Sequence, residues 1–301
     1  MSLPRALLVS LRPHQWTKNL VVLAALAFSK HLFDDADAVA RAAAALAVFC
    51  ALSGAVYLVN DLVDAERDRL HPVKRTRPIA SGALGVGPAR AAAAALLALG
   101  LLAAGALGPG FLLCVLGYLA LNLAYSFGLK NVVILDVLAI ALGFVVRAVA
   151  GAVAIQVVFS DWLLVCTILL ALFLALAKRR HELVTLPDAA SHRAILAEYS
   201  PYLLDQMIAV VTASCLTAYA FYTLAPDTVE KYRTDRLAFT IPFVIYGIFR
   251  YLYLVHRKDQ GGSPGDALLT DRPLLATVAL WALVVVLIVY AAPGVPMPRG
   301  R

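Results

Sequence analysis

An all-α polytopic membrane protein is the fold this sequence predicts, as a bundle of about nine transmembrane helices by the length each crossing requires. Three observations carry that reading. Hydrophobic residues make up 62% of the 301 residues and charged residues 15%, with a mean hydropathy of +0.82; soluble domains carry about a quarter charged residues. Apolar runs of about 20 residues, enough to cross the bilayer core as a helix, recur along the chain. Lys and Arg crowd into alternate connections, as they do on the cytoplasmic side of membrane proteins. The same composition excludes a disordered chain. It favours one membrane domain over residues 1–301 rather than two soluble ones.

The spans read in order as 19–33, 38–59, 88–107, 110–127, 131–156, 161–177, 202–224, 237–254 and 273–292. The first is short and leans on Trp16 and Lys18 as an aromatic and a basic interface anchor. Alanine runs at 42–45 and 91–95 suit close helix packing in lipid, because small side chains let backbones approach. Cys50, Cys114, Cys166 and Cys215 lie apart in apolar runs, with no metal spacing, and read as small core residues.

The charge balance is 26 Lys and Arg against 19 Asp and Glu, a formal +7. In a soluble protein that excess raises nucleic acid as a partner. Here most of it falls on segments that share one side when the N-terminus is placed in the cytoplasm, so no nucleic acid partner is expected. Two connections on that side, 60–87 and 178–201, are long and hold most of the unusual polar residues, which places the chemistry there.

The first polar cluster runs Asn60-Asp61-Leu62-Val63-Asp64-Ala65-Glu66-Arg67-Asp68 and continues the second span without a helix breaker. In a helix, Asp61, Asp64 and Asp68 share one face. Converging carboxylates repel unless a cation sits among them, and an all-oxygen donor set suits Mg²⁺ bridged to substrate phosphates. The plainer reading is a solvated acidic helix end neutralised by Arg67 and Arg69.

Lys74-Arg75-Thr76-Arg77-Pro78 and Ser81-Gly82 follow. Fixed cations beside a carboxylate–metal site are what a diphosphate requires; a topological basic loop is the alternative. Tyr125 and Lys130 close the fourth span and can donate to and neutralise a phosphate, or serve as an interfacial tyrosine and a snorkelling lysine. Asp136 and Arg147 share a face of the next span; an intramembrane Arg needs a partner or a polar cavity, so a structural ion pair competes with substrate contact. Lys178-Arg179-Arg180-His181-Glu182 ends the sixth span, and three consecutive cations cannot all face one way. At the N-terminus, Lys18 within Arg12-Pro13-His14-Gln15-Trp16-Thr17-Lys18-Asn19 suits a lipid phosphate at the interface.

On these residues the sequence resembles the UbiA superfamily of intramembrane prenyltransferases. The signature N-D-x-x-D-x-x-x-D stands at Asn60 to Asp68, K-R-x-R-P and S-G at Lys74 to Gly82, and Y-S-x-x-x-K at Tyr125 to Lys130. Members typically carry a second aspartate-rich motif after the sixth span, where this chain has Lys178-Arg179-Arg180-His181-Glu182. That departure, the R-P-x-Q-W-x-K-N start and the K-R-R-x-E-L run resemble the decaprenyl-phosphate phosphoribosyltransferase branch.

The resemblance implies a bacterial plasma-membrane enzyme, with cytoplasmic catalytic loops, that transfers the 5-phosphoribosyl group of phosphoribosyl pyrophosphate to a polyprenyl phosphate. Pyrophosphate is released and the product feeds cell-wall arabinan. It implies Mg²⁺ on Asp61, Asp64 and Asp68 with Asn60 assisting, and donor or acceptor contacts from Lys18, Lys74, Arg75, Arg77, Tyr125, Lys130, Arg147, Lys178, Arg179, Arg180 and Glu182. A homo-oligomer, such as a trimer, is a further expectation. Two other readings stand beside it. One is a Mg²⁺-dependent prenyltransferase with a prenyl diphosphate donor and an aromatic acceptor. The other is a transporter, since intramembrane charges also mark ion paths, although no inverted repeat is visible.

Overall fold

The computed structural model describes residues 2–70, 74–185, 194–258, 262 and 264–290, and the described residues are helical with no strand. Parts of both long loops, residues 71–73 and 186–193, lie outside them, as does the C-terminal end of the 1–301 domain. Eight helices are long and apolar enough to cross a membrane. In chain order the helices are α1 (Leu3–Ser10), α2 (Ala24–Ala27), α3 (Ala36–Val63), α4 (Ala65–Leu70), α5 (Val86–Leu107), α6 (Pro109–Phe127), α7 (Leu135–Ala154), α8 (Asp161–Thr185), α9 (Pro201–Leu224), α10 (Pro226–Tyr232), α11 (Ile241–Arg257), α12 (Pro264–Thr270) and α13 (Arg272–Tyr290). The crossing candidates are α3, α5, α6, α7, α8, α9, α11 with its lead-in from Arg236, and α13.

The first expected span takes a different form. Residues Pro13–Leu23 wind as a 3₁₀-helix that passes into the four-residue α2. A 3₁₀-helix rises about 2 Å per residue, so this pair of segments extends roughly 28 Å, close to the bilayer core, with fewer residues than an α-helix needs. Runs of 3₁₀-helix this long are uncommon because their hydrogen bonds are poorly aligned. Here packing holds it: a Cβ on Gly151 would lie 1.9 Å from the carbonyl oxygen of Val22. Gly151→Ala therefore clashes with backbone, which has no rotamer through which to escape. A loss of about 3 kcal/mol or more is expected, read as a collapsed monodisperse fraction in detergent chromatography; a wild-type elution profile and melting point would show that the 3₁₀ segment yields.

The chain forms two compact units, one of residues 1–122 with 146–158 and one of residues 123–145 with 159–301; α6 and α7 contribute to both. In the first, α3 packs on α5 through the small residues the alanine runs offered. Ala42 and Ala45 of α3 and Ala89, Ala93, Gly100 and Ala104 of α5 are buried, and a Cβ on Gly100 would meet Leu52 Cδ2 at 2.6 Å. Phe49 anchors this core edge-on to Phe111 and Tyr118, with ring centroids 5.9 and 5.3 Å apart. In the second unit, Phe173, Leu176, Leu204, Ile208, Tyr251 and Leu254 form the centre of an apolar cluster.

Candidate active site

In the first unit the helix carrying the aspartate signature does not run on as the sequence suggested. It stops at Val63; Asp64 is its C-cap, with φ −89° and ψ 3°, and its N–H donates to Asn60 O at 2.9 Å. A new helix, α4, starts at Ala65. The break divides the three aspartates. Asp61 and Asp68 are 3% and 2% exposed, while Asp64 is half-buried. The first two turn to one guanidinium: Arg77 Nη1 donates to Asp61 Oδ1 at 3.1 Å and to Asp68 Oδ2 at 2.6 Å. Arg12 Nη2 donates to the same Asp61 oxygen at 2.5 Å and lies 4.9 Å over the Tyr57 ring. Buried carboxylates need this compensation, because desolvating them unpaired costs several kcal/mol each.

Local sequence explains how Arg77 arrives there. Pro78, Ile79 and Ala80 are buried, and Ile79 and Leu84 join Ala6, Leu58, Ala89 and Ala93 in a small apolar cluster. Ser81 N–H donates to Arg77 O, Leu84 N–H to Pro78 O, and Gly82 takes φ +78°, a left-handed conformation that suits glycine. The apolar side of the loop thus anchors it and leaves Arg77 on the aspartates. Arg12 also takes a left-handed conformation, at φ 52° and ψ 62°, uncommon for a residue with a Cβ.

A second polar group lies deeper in this unit. Arg147, 8% exposed, donates from Nε to Asn19 Oδ1 at 2.8 Å and from Nη2 to the Tyr118 hydroxyl at 3.0 Å. Asn19 in turn donates to Ser53 Oγ at 3.1 Å.

Asp136 belongs to the second unit, where it is fully buried with Arg179. Arg179 Nε donates to Asp136 Oδ2 at 2.7 Å, Nη1 to Glu182 Oε2 at 2.7 Å and Nη2 to the Tyr125 hydroxyl at 3.3 Å. Tyr199 donates its hydroxyl proton to Asp136 Oδ1 at 2.8 Å and accepts from Ile134 N–H at 2.8 Å. Burial, with the Asp136 carboxylate adding to it, pushes the Tyr199 hydroxyl up to about 12, so it remains a donor. The pairing holds Ile134 at φ 70°, a strained conformation for a β-branched residue.

Arg180 pairs with Asp205 at 2.5 Å, and His256 Nε2 approaches the same carboxylate at 3.2 Å. Lys178, 42% exposed, sits 3.8 Å from Glu182. Of the remaining candidates, Lys18 and Arg75 are exposed, and Lys74, Lys130 and Asn60 are half-buried.

Sequence reasoning placed Asp61, Asp68 and Arg77 together, expected Asp64 with them and did not give Arg12 a site role. The structure brings the first three together, adds Arg12 and leaves Asp64 at the helix break. Among the described residues no three His, Cys, Asp or Glu side chains gather as a metal-holding group. The donor chemistry nonetheless fits a divalent ion: two buried carboxylate oxygens converge on one cation, and Mg²⁺ is commonly held by one or two carboxylates together with water and substrate phosphates. Tyr199 and Tyr118 were also missed. Their positions carry no motif, and only contacts across the fold give them roles.

A helical membrane bundle with carboxylates and guanidiniums buried among its helices defines a class, the polytopic membrane proteins that handle charged groups. The chain belongs to the UbiA prenyltransferase family, whose model matches residues 19–264. It is 36% identical, over 97% of this chain and 89% of the relative, to a decaprenyl-phosphate phosphoribosyltransferase of Corynebacterium glutamicum. It is 34% identical, over 93% and 91%, to the protein of that name from Mycolicibacterium smegmatis. A solved UbiA homolog from Archaeoglobus fulgidus, bound to GPP and Mg2+, shares the fold with a TM-score of 0.71 at 20% identity, covering 95% of this chain and all of that one.

Proposed function

We propose that this chain transfers the 5-phosphoribosyl group of phosphoribosyl pyrophosphate to decaprenyl phosphate or a similar polyprenyl phosphate. One observation carries the reading: a buried carboxylate pair flanked by two arginines, in a chain 36% identical to an enzyme named for that transfer. The bond between the ribosyl anomeric carbon and pyrophosphate breaks, and a lipid phosphate oxygen forms the new one with inversion. That phosphate is anionic near neutral pH, so no strong general base is needed.

Asp61 and Asp68 would hold Mg²⁺, with Asp64 and Asn60 the further oxygen donors at hand. Bound there, the ion supplies neutralisation of the departing pyrophosphate. Arg12, Arg77, Lys74 and Arg75 supply cations for the same anion. Arg147, oriented by Asn19 and Tyr118, and Lys18 or Lys130 suit the lipid phosphate.

The basic run after the sixth span suits the donor's 5-phosphate through Lys178 and Arg180. A phosphate at Arg179 would have to displace Asp136 or Glu182. The catalytic loops and the N-terminus would face the cytoplasm of a bacterial plasma membrane, and the product would enter cell-wall arabinan synthesis.

The test is direct. Purified protein, Mg²⁺, labelled phosphoribosyl pyrophosphate and a polyprenyl phosphate are expected to yield metal-dependent label in the organic phase with stoichiometric pyrophosphate. A folded preparation that ignores this donor and consumes a prenyl diphosphate would overturn the reading.

A further inference from the structure

The two carboxylates that would hold a divalent ion are the two that Arg77 already bridges. Arg77 Nη1 bridges Asp61 Oδ1 and Asp68 Oδ2, and Arg12 occupies the same Asp61 oxygen. Both carboxylates are nearly inaccessible, with side chains 3% exposed, whereas Arg77 and Arg12 are 28% and 25% exposed. The cationic partners are therefore the accessible half of the group: their long side chains reach in from a loop and from the N-terminal segment, while the acids are buried on α3 and α4.

A guanidinium and a divalent cation cannot share that carboxylate pair without strong repulsion, since like charges a few ångströms apart in a partly buried setting cost on the order of several kcal/mol. From this competition, and resting on the metal-diphosphate role given above to the same residues, we infer that Arg77 is an exchangeable counter-ion, seconded by Arg12. Its guanidinium neutralises Asp61 and Asp68 and releases them to a divalent ion when a diphosphate is present to receive it. Arg77 is thus a positioning residue for the metal as well as a donor contact, and it couples the two ligands. Metal alone meets an occupied carboxylate pair. Metal with diphosphate meets a pair whose counter-ion has a better anion to bind, one matched to a guanidinium's planar fork. Such coupling is reciprocal between the two ligands.

The experiment uses full-length protein in detergent and Mn²⁺ alone, followed by the loss of the free-ion electron paramagnetic resonance signal, with no donor, acceptor or turnover. Arg77→Gln is expected to bind Mn²⁺ about tenfold more tightly than wild type. Arg77→Lys, which keeps the charge, is expected to stay as weak as wild type, a difference that a merely structural role of residue 77 would not produce. Asp61→Asn in the Arg77→Gln background is expected to remove the gain, which locates it. With donor present, Arg77→Gln is expected to raise the donor KM, so metal affinity and donor affinity move in opposite directions.

Equal or weaker Mn²⁺ binding in Arg77→Gln, or equal tightening in Arg77→Gln and Arg77→Lys, overturns the inference. Because the readout contains no phosphoribosyl donor, it stands or falls apart from the proposed reaction: tight Mn²⁺ binding in Arg77→Gln with no ribosyl transfer would leave the counter-ion exchange intact and remove only the donor's identity.

Discussion

Asp61→Asn is expected to lower kcat/KM by about a hundredfold or more while leaving the protein folded and inserted. The magnitude follows from the several kcal/mol that metal coordination supplies to a developing leaving-group charge, at about 1.4 kcal/mol per tenfold in rate. The fold should survive because Asn keeps the volume and an acceptor oxygen for Arg12 and Arg77, and because Arg77 retains Asp68. Asp68→Asn should follow the same pattern for the same reason. The check is the labelled-lipid assay at saturating Mg²⁺ beside a melting curve. Near wild-type turnover in a folded Asp61→Asn protein would take the metal away from this pair and return Asp61 to a purely structural partner of the arginines.

Arg179→Ala is expected to act on the fold rather than on one substrate. Arg179 is 1% exposed and Asp136 fully buried, and removing the cation takes from Asp136 its charged partner, leaving the Tyr199 hydroxyl, and removes the Arg179 contacts of Glu182 and Tyr125. Breaking a buried pair from one side costs about 3–5 kcal/mol. The melting temperature should drop sharply, and any surviving activity should fall alike for donor and acceptor. Arg180→Ala is the contrast: its pair with Asp205 is partly solvated, 16% and 36% exposed, so it should cost about 1 kcal/mol or less, with the effect falling on the donor KM. An Arg179→Ala protein with a wild-type melting point and a selectively raised donor KM would place Arg179 against the ligand instead.

Eight of the spans expected from the sequence return as helices long enough to cross a membrane, most with ends shifted by a few residues; 38–59 becomes Ala36–Val63, while 161–177 runs on to Thr185. Hydropathy suffices there because a bilayer imposes a length and an apolar composition on each segment separately. The 13–27 region shows where that logic stops. Nothing in Pro13 to Ala27 announces a long 3₁₀ run; the close approach of Val22 to Gly151 is a contact between residues far apart in the chain. The helix break at Asp64 is another such case: Asp64 and Ala65 are compatible with a continuing helix.

The candidate site divides in the same way. The charged residues that compose it were legible, since acidic and basic residues at membrane depth are costly unless they have work or a partner. Their partners were not. Arg12 lies 49 positions from Asp61 and Arg179 lies 43 from Asp136, and no periodicity links residues at those distances. By itself the sequence determined a helical membrane bundle, the order of its crossings and which polar residues within it call for a partner or a function, because hydropathy and helix period are local properties. The tertiary structure alone decided that Arg77 and Arg12 share Asp61, that Arg179 locks onto Asp136, and that Asp64 stands apart. A buried charge is compensated by whichever opposite charge the folded backbone brings within hydrogen-bonding reach, and that depends on packing across the whole chain.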